Sequence, residues 1–254
     1  MNNTFNAVQW LIRNVARNDM SHCIDIVLQP FVNIQKRKCT GAEVLVRGYY
    51  EQRVIYPDSF IPALENNGTI LYLDLFVLAQ GLVYARSQNL FRQRDFALSF
   101  NFSPLEFNHP DFVPLVCEAV TRDEAQNIIL EITETDIVLD TTGLRNILQL
   151  QCYGFTVAWD DIHCMNLAQK KLDLFPCRLV KLDRSTLFPA NLECANTLIN
   201  FYQQQQLAII VEGVENEQQL QWLLKKDISL VQGYYFSRPI NKQAFAAQFL
   251  DACL

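Results

Sequence analysis

Two adjacent carboxylates follow a short apolar run in the second half of the chain. Residues 156–159 are rich in types that favour β-strands, and they lead directly into Asp160 and Asp161 with no turn residue between. Side chains alternate between faces along a strand, so the two aspartates can share a site only where the strand ends and the backbone loosens. Carboxylates this close repel each other unless a cation lies between them. The pair therefore predicts a divalent-metal site, with a solvated Asp-Asp turn as the alternative.

Further polar residues lie at or near the ends of other predicted strands. In a barrel of parallel strands and helices these ends meet at one face, where the active site lies. Each residue alone could equally cap a helix or lie in a solvated loop. Together they offer carboxylate and amide oxygens, which are the ligands that Mg²⁺ and Mn²⁺ prefer. The residues in this set are Glu43, Asn101, Glu131, Asp160, Asp161, Lys181, Glu212 and Gln232.

Such a set suits hydrolysis of a phosphodiester. Two divalent cations held by carboxylates can acidify a water molecule for in-line attack. Lys181 would orient that water or stabilise developing charge, and Glu212 would complete the metal shell or manage the proton. A one-metal barrel enzyme that enolises a carboxylic acid also uses strand-end carboxylates and a lysine, so both chemistries stay open. The sequence contains neither an H-E-x-x-H motif nor a serine nucleophile elbow.

Strands and helices alternate along most of the chain. The first predicted strand ends at Gln29-Pro30, because proline cannot donate to a ladder. Ser103, Pro104 and Glu106 form a capping box that starts a helix predicted to reach about residue 121. About eight strands in roughly 230 residues predict an α/β fold, a closed (β/α)₈ TIM-type barrel. We expect an extra N-terminal helix within residues 1–21 and the barrel domain over residues 22–254.

Bulk properties exclude several classes of protein. The chain has 254 residues, of which 50% are hydrophobic and 19% charged, and its net charge is −6. A sizeable core is expected, whereas direct binding to nucleic acid or to an anionic membrane is not. The eight cysteines include no C-x-x-C pair, which argues against zinc and against a disulfide scaffold. No signal peptide and no apolar stretch of about 18 residues is found, so we expect a soluble, cytoplasmic protein.

Ordered motifs from near Cys23 to the last helix resemble one known family. They are Gln29-Pro30, E-x-L-x-R at residues 43–47, Phe60-Ile61-Pro62, Asn101-Phe102-Ser103, Leu130-Glu131-Ile132, Asp160-Asp161, Lys181-Leu182-Asp183, Glu212-Gly213-Val214-Glu215 and Gln232-Gly233-Tyr234. The sequence is similar to the EAL-domain cyclic-di-GMP phosphodiesterases and looks like a stand-alone member of that family.

This resemblance implies an activity and a role for each site residue. In the family the barrel binds two Mg²⁺ or Mn²⁺ ions and opens cyclic di-GMP to its linear dinucleotide. By resemblance, Lys181 and Glu212 would serve catalysis, and Gln29, Arg47 and Gln232 would help to hold the substrate or the site. The metal ligands would be Glu43, Asn101, Glu131, Asp160 and Asp161.

One segment departs from the family pattern. The family follows the Asp-Asp pair with F-G-T-G-Y-S-S, whereas residues 162–168 of this chain read I-H-C-M-N-L-A. His163 and Met165 replace the two glycines, and if either position needs positive φ the loop must refold or carry strain of ~1–3 kcal/mol. Glu134, which anchors this loop in the family, would lack its usual partners. Gly48 stands where a tryptophan is common after E-x-L-x-R.

Three functional hypotheses follow from the resemblance and this departure. A degenerate loop favours a regulator that acts by protein contact rather than by turnover, because a loosely held site loses rate steeply. Similarity to enterobacterial EAL-like proteins implies the flagellar master transcription activator as its target, with repression of motility genes. The alternatives are an active Mg²⁺- or Mn²⁺-dependent cyclic-di-GMP phosphodiesterase and a cyclic-di-GMP receptor without turnover.

Overall fold

The computed structural model describes residues 2–93, 95–133 and 138–250, with side chains from residue 6 onward. Within these ranges nine strands form a single sheet around a central axis. The strands are β1 (Ile24–Asn33), β2 (Lys38–Tyr50), β3 (Arg53–Ile55), β4 (Ala97–Phe102), β5 (Ile128–Ile132), β6 (Thr156–Ile162), β7 (Leu179–Leu182), β8 (Ala208–Val211) and β9 (Leu230–Val231).

Helices lie between most of the strands. Asp140, Asn216 and Asn241 each cap a helix by accepting a hydrogen bond from a backbone N–H in its first turn. The helices are α1 (Asn2–Ala16), α2 (Ile61–Asn66), α3 (Ile70–Ser87), α4 (Pro104–Phe107), α5 (Phe112–Ala119), α6 (Arg122–Ala125), α7 (Thr141–Tyr153), α8 (Met165–Leu174), α9 (Leu192–Gln204), α10 (Glu217–Leu224) and α11 (Lys242–Phe245).

The sheet closes into the predicted eight-stranded barrel. Its strand order is β1-β9-β8-β7-β6-β5-β4-β2, and pairing of β1 with β2 closes the circle, while β3 extends the outer end of β2. Strands β2 and β4 to β9 run parallel. Strand β1 differs, because it is antiparallel to both β2 and β9 and joins β2 as a hairpin without a helix. The predicted fold class is confirmed, with one reversed strand.

Two element boundaries differ from the prediction. Strand β1 continues through Pro30 to Asn33. The N–H of Leu28 points away from β2, toward the Ile240 carbonyl. Pro30 lies two residues later, so its nitrogen faces the same side and no hydrogen bond with β2 is lost.

The helix predicted from Ser103 to about residue 121 is divided into two. Its capping box is present, since the Ser103 N–H donates to the Glu106 carboxylate at 2.7 Å. Helix α4 then ends at Phe107, and α5 begins at Phe112. Pro110 lies between them, and a proline both lacks an N–H donor and disfavours helical backbone in the residue before it.

Two helices, α1 and α3, pack against the outside of the barrel. Among the described helices, α3 is long and apolar enough to span a membrane, with a mean hydropathy of 1.3, contrary to the expectation that no such stretch exists. Half of it is buried, and Leu73, Leu78 and Leu82 lie in the core. Helix α1, the predicted extra helix, covers β2. A Cβ placed on Gly48 would lie 2.9 Å from Leu11 Cδ1, so glycine makes room for α1.

Candidate active site at the carboxyl ends of the strands

Lys181 of β7 lies in the centre of the barrel and contacts four carboxylates. Its side chain is fully buried. Its Nζ atom lies 2.5 Å from Glu212 Oε1, 2.8 Å from Glu131 Oε2, 3.2 Å from Asp160 Oδ1 and 3.5 Å from Glu43 Oε2. These groups come from five different strands or strand ends, so the closed barrel is what brings them together.

Amide side chains fix the orientation of Glu43. Asn101 Nδ2 donates to Glu43 Oε1 at 2.7 Å, and Gln232 Nε2 donates to Glu43 Oε2 at 2.7 Å. The same Gln232 nitrogen lies 3.0 Å from Gln29 Oε1, and Gln29 Nε2 donates to the Ser237 carbonyl at 3.2 Å. Four of the residues picked out by sequence thus form one connected network with Glu43 held from two sides.

Asp161 joins the carboxylate cluster through a bulge in β6. The pairing of β5 with β6 ends at Trp159, and the register of β6 against β7 shifts between Trp159 and Ile162. Asp161 has a φ of 58°, a left-handed conformation that a regular strand does not contain. The strand was expected to end at the aspartates, but β6 continues through them to Ile162, and the bulge provides the irregularity instead. Asp160, Asp161 and Glu212 each place a carboxylate oxygen within 4.8 Å of the others.

The altered segment after the aspartates carries no left-handed residue at either glycine position. Cys164 has an extended backbone with a φ of −151°, and α8 begins at Met165. Neither His163 nor Met165 has a positive φ. Strain was predicted only if one of these positions had a positive φ, so it is absent. The left-handed residue of this segment is Asp161 instead. Glu134, named above as a loop anchor, lies outside the described residues.

Burial shifts the pKa of the clustered carboxyl groups. Burial raises the pKa of Glu131 well above its ordinary value and that of Glu212 to about 8, although Lys181 opposes both shifts. Burial also raises the pKa of Asp160, and burial together with the charge of Asp160 raises that of Asp161 to about 6. A low-dielectric site thus disfavours the accumulated negative charge.

Glu43 and Lys181 shift toward their charged forms. Burial alone would raise the pKa of Glu43, but Lys181, Gln232 and Asn101 together hold it below its ordinary value. Burial likewise opposes the charge on Lys181, yet the surrounding carboxylates keep its pKa well above the ordinary value. The centre of the cluster is therefore an ion pair of Glu43 and Lys181 within a surplus of acidic groups.

This donor set fits hard divalent cations. Oε1 of Glu131 is buried and has no hydrogen-bond partner among the described residues. One ammonium cannot neutralise all the carboxylates around it, and a dication between them would relieve their repulsion. The available donors are carboxylate and amide oxygens, which suit Mg²⁺ or Mn²⁺.

Two glycines keep the loops of this face close to the cluster. Gly213, directly after Glu212, has a φ of 70°, and a Cβ there would overlap the Arg184 side chain. A Cβ on Gly233, directly after Gln232, would overlap the backbone of Val214. Glu212 and Gln232 are thus each followed by a position that only glycine fits, which accounts for the E-G and Q-G pairs in the sequence.

A polar cavity of about 280 Å³ opens over the cluster. An adjoining apolar cavity of about 290 Å³ shares Leu45 with it and extends along β2 and β4 past Asn101. Arg47 lies apart from the carboxylates, since its Nη1 atom donates to the Val46 carbonyl at 2.7 Å and its guanidinium lies 5.4 Å from the centre of the Tyr56 ring. The polar cavity is lined by Gln29, Glu43, Leu45, Asp160, Asp161, Arg184, Glu212, Gly213, Glu215, Gln232, Gly233 and Tyr234.

Sequence reasoning missed one buried residue next to the aspartates. Lys171 of α8 is buried, and its Nζ atom donates to the Asp160 carbonyl at 2.7 Å. A signal was present, because Ala168, Lys171 and Phe175 recur at helical spacing and all three are buried.

Comparison with known proteins agrees with this geometry. The EAL domain matches residues 13–239. The chain belongs to the EAL-domain family. Cyclic di-GMP phosphodiesterase PdeL of Escherichia coli is 26% identical over 232 residues, which cover 88% of this chain and 64% of PdeL. Cyclic di-GMP phosphodiesterase RocR of Pseudomonas aeruginosa is 27% identical over 234 residues, which cover 89% of this chain and 58% of RocR. The chain spans less than two thirds of either relative.

Solved structures of this EAL fold include a complex with the cyclic dinucleotide. The PaMucR phosphodiesterase in complex with c-di-GMP matches this chain with a TM-score of 0.82 at 24% identity, covering 93% of this chain and 99% of that one. At this identity the likeness establishes the barrel fold alone.

Proposed function

We propose that this chain binds cyclic di-GMP and, with two Mg²⁺ or Mn²⁺ ions, hydrolyses one of its phosphodiester bonds to give the linear dinucleotide. The observation that carries the proposal is the assembly of Glu43, Glu131, Asp160 and Glu212 around Lys181. The left-handed Asp161 adds a further carboxylate on the same side. The names of the relatives PdeL and RocR support the same substrate.

The residues that would hold the ions are Glu43, Asn101, Glu131, Asp160 and Asp161, with Glu212 close to the two aspartates. When bound, the ions supply charge that polarises a phosphodiester and lowers the pKa of water.

The chain's own residues would position the reactants and handle the proton. Lys181 is fixed between Glu131 and Glu212, so its ammonium can orient a water molecule or stabilise charge on a phosphoryl oxygen without reorganisation. Glu212 contacts the Lys181 ammonium and lies within 4.8 Å of the two aspartates, so its carboxyl group is placed to manage the proton of a water molecule there. Gln29 and Gln232 present side chains to the polar cavity and would hold substrate oxygens.

The neighbouring apolar cavity supports a nucleotide ligand of this kind. Its walls include Val44, Val46 and Phe102, and it begins at Leu45, which also lines the polar cavity. A base could pack on these apolar groups while its phosphodiester lies over the carboxylates. Arg47 lies near Tyr56 at the outer side of β2, and we propose that it contributes to substrate binding there.

The hypothesis of a regulator that acts by protein contact rested on a substituted loop that holds the aspartates loosely. The absence of left-handed backbone at His163 and Met165 removes one reason for preferring it, the strain expected at those positions. Binding to the flagellar master transcription activator stays a prediction from the resemblance, as does the cytoplasmic location.

Turnover tests the proposal directly. We would incubate the purified chain with cyclic di-GMP and Mn²⁺, and measure the linear dinucleotide by liquid chromatography. Glu131→Gln should lower the rate by at least about 100-fold, because it removes a buried anionic donor of the cluster. Glu118→Gln is the matched control, since Glu118 is exposed on α5.

Binding in Ca²⁺ separates the alternatives if no product forms. If calorimetry in Ca²⁺ detects binding of cyclic di-GMP but no product forms in Mn²⁺, the receptor hypothesis would be supported. Absence of both binding and turnover would refute both nucleotide hypotheses and return the protein-contact hypothesis to first place.

A further inference from the structure

Lys171 contacts Asp160, in the β6 bulge, and Trp159, the residue before it. It lies on α8, the helix that begins at Met165, within the segment that departs from the family pattern. Its side chain is buried, whereas its neighbour Lys170 is exposed. The Lys171 ammonium donates to the Asp160 carbonyl at 2.7 Å and lies 5.1 Å from the centre of the Trp159 ring. The contact is thus made to the backbone of one aspartate and to the face of the residue before it.

The bulge creates a need for this donor. Strand β5 pairs with β6 as far as Trp159, and pairing with β7 resumes at Ile162. Asp160 therefore has no ladder partner in the described parts of either neighbouring strand. A buried carbonyl without a donor is destabilising, and an ammonium forms a stronger hydrogen bond than a neutral group does.

We propose that Lys171 is a positioning residue that fixes the Asp160–Asp161 bulge, and thereby sets the divalent-cation affinity of the cluster, in place of the glycine-containing loop of the family. This inference rests on the proposed function, since it assumes that the two carboxylates hold the ions. Lys171 acts through the Asp160 backbone. It is a different role from that of Lys181, whose ammonium contacts the carboxylates themselves.

Two effects of removing Lys171 have opposite signs, which makes the inference testable. Loss of a positive charge near two carboxylates would strengthen binding of a cation. Loss of the hydrogen bond would let the bulge relax and would weaken binding, since groups that orient metal ligands typically contribute about 10- to 100-fold in affinity. The burial and the short contact at the backbone favour the second effect.

The test measures Mn²⁺ affinity of the full chain by titration calorimetry without nucleotide. Lys171→Met should weaken Mn²⁺ binding by about 10- to 100-fold. Lys171→Arg keeps a cationic donor and should restore most of the affinity. Lys170→Met makes the same change one residue earlier on the exposed side of α8 and should leave the affinity unchanged. Turnover by Lys171→Met should recover at high Mn²⁺, because the defect lies in holding the ion.

The outcomes separate this inference from the proposed function. Unchanged or tighter Mn²⁺ binding by Lys171→Met, with turnover by the wild type, would overturn the positioning role and leave the phosphodiesterase intact. A wild type that binds no Mn²⁺ would overturn both. If Lys171→Met does not fold, Lys171→Gln retains an amide donor, and an affinity between those of the wild type and an Asp161→Asn variant would support the inference. An affinity equal to that of the wild type would overturn it.

Discussion

The ammonium of Lys181 lies 2.8 Å from Oε2 of Glu131, and both side chains have no measurable solvent exposure. Removing the ammonium would leave the Glu43 carboxylate, which forms the ion pair with Lys181, uncompensated in a low-dielectric interior. In this barrel the remaining charges would include those of Asp160 and Glu212 as well. The pair therefore links the chemistry of the site to the stability of the fold.

Lys181→Met should destabilise the protein by about 3–5 kcal/mol, as expected for breaking a buried ion pair. The free energy of unfolding, measured by urea denaturation in a chelator, tests this. Lys170→Met removes an exposed lysine and should change the free energy little. A Lys181→Met variant as stable as the wild type would mean that the carboxylates are already neutral in the folded state.

Divalent cations should stabilise the wild type. A ligand that binds only the folded state adds about 2.7 kcal/mol at a concentration 100-fold above its Kd, so thermal unfolding should shift upward on addition of Mn²⁺ and return on chelation. Asp161→Asn should reduce the shift, because Asp161 is one of three residues whose carboxylate oxygens lie within 4.8 Å of each other. Asp173→Asn, at an exposed position of α8, serves as the control. Equal shifts in the wild type and Asp161→Asn would place the bound ion elsewhere.

The positions of most strands along the chain and the set of strand-end residues could be predicted from sequence because each depends on local pattern. Strands β5 and β8 begin and end where the apolar runs do, and Glu131 and Lys181 occupy their expected places. The reversal of β1 could not be predicted in this way. Its direction depends on the hairpin to β2 and on which neighbours close the barrel, and Pro30 gave a misleading stop signal because proline limits only one edge of a strand.

The backbone of the Asp-Asp segment could be predicted only in part. Adjacency of Asp160 and Asp161 required an irregularity, which was predicted as the end of the strand and is instead a bulge within β6. Which residue would take the left-handed conformation was not accessible, since the family pattern drew attention to His163 and Met165 rather than to Asp161. The buried contact of Lys171 depends on how α8 packs against that bulge, which residue types alone do not specify.

Stability should fall as pH rises through the neutral range because of Asp74 on α3. Burial is the main cause that raises the pKa of this group to about 8, with the charge of Glu65 adding to it and a hydrogen bond with Glu106 opposing it. In the unfolded chain an aspartate titrates near ~3.9. Between these two values the folded state binds the proton and the unfolded state does not, so the free energy of unfolding decreases as pH rises. Measuring it by urea denaturation from pH 5 to 8 tests the sign.

Asp74→Asn should weaken this dependence, because asparagine resembles the protonated acid. Each unit of pKa shift corresponds to about 1.4 kcal/mol, so the variant should exceed the wild type in stability by at least that amount at pH 8. Some dependence should persist, since burial also raises the pKa of Glu106 well above its ordinary value. Asp173→Asn again provides an exposed control. Stability that is constant or rises over this range would refute the raised pKa.

Gly48 and Leu11 should behave as one packing unit that couples α1 to the strand of Glu43. Leu11 is fully buried, and a Cβ on Gly48 would lie 2.9 Å from its Cδ1 atom. Leu11→Ala should cost about 2–5 kcal/mol through the cavity it leaves, and Gly48→Ala about 1–3 kcal/mol through overpacking. The double variant should be less destabilised than the sum, because a smaller residue 11 admits the added methyl group. Urea denaturation of the wild type, the two single variants and the double variant completes this double-mutant cycle. Strict additivity of the changes in the free energy of unfolding would show that α1 and β2 do not depend on each other at this contact.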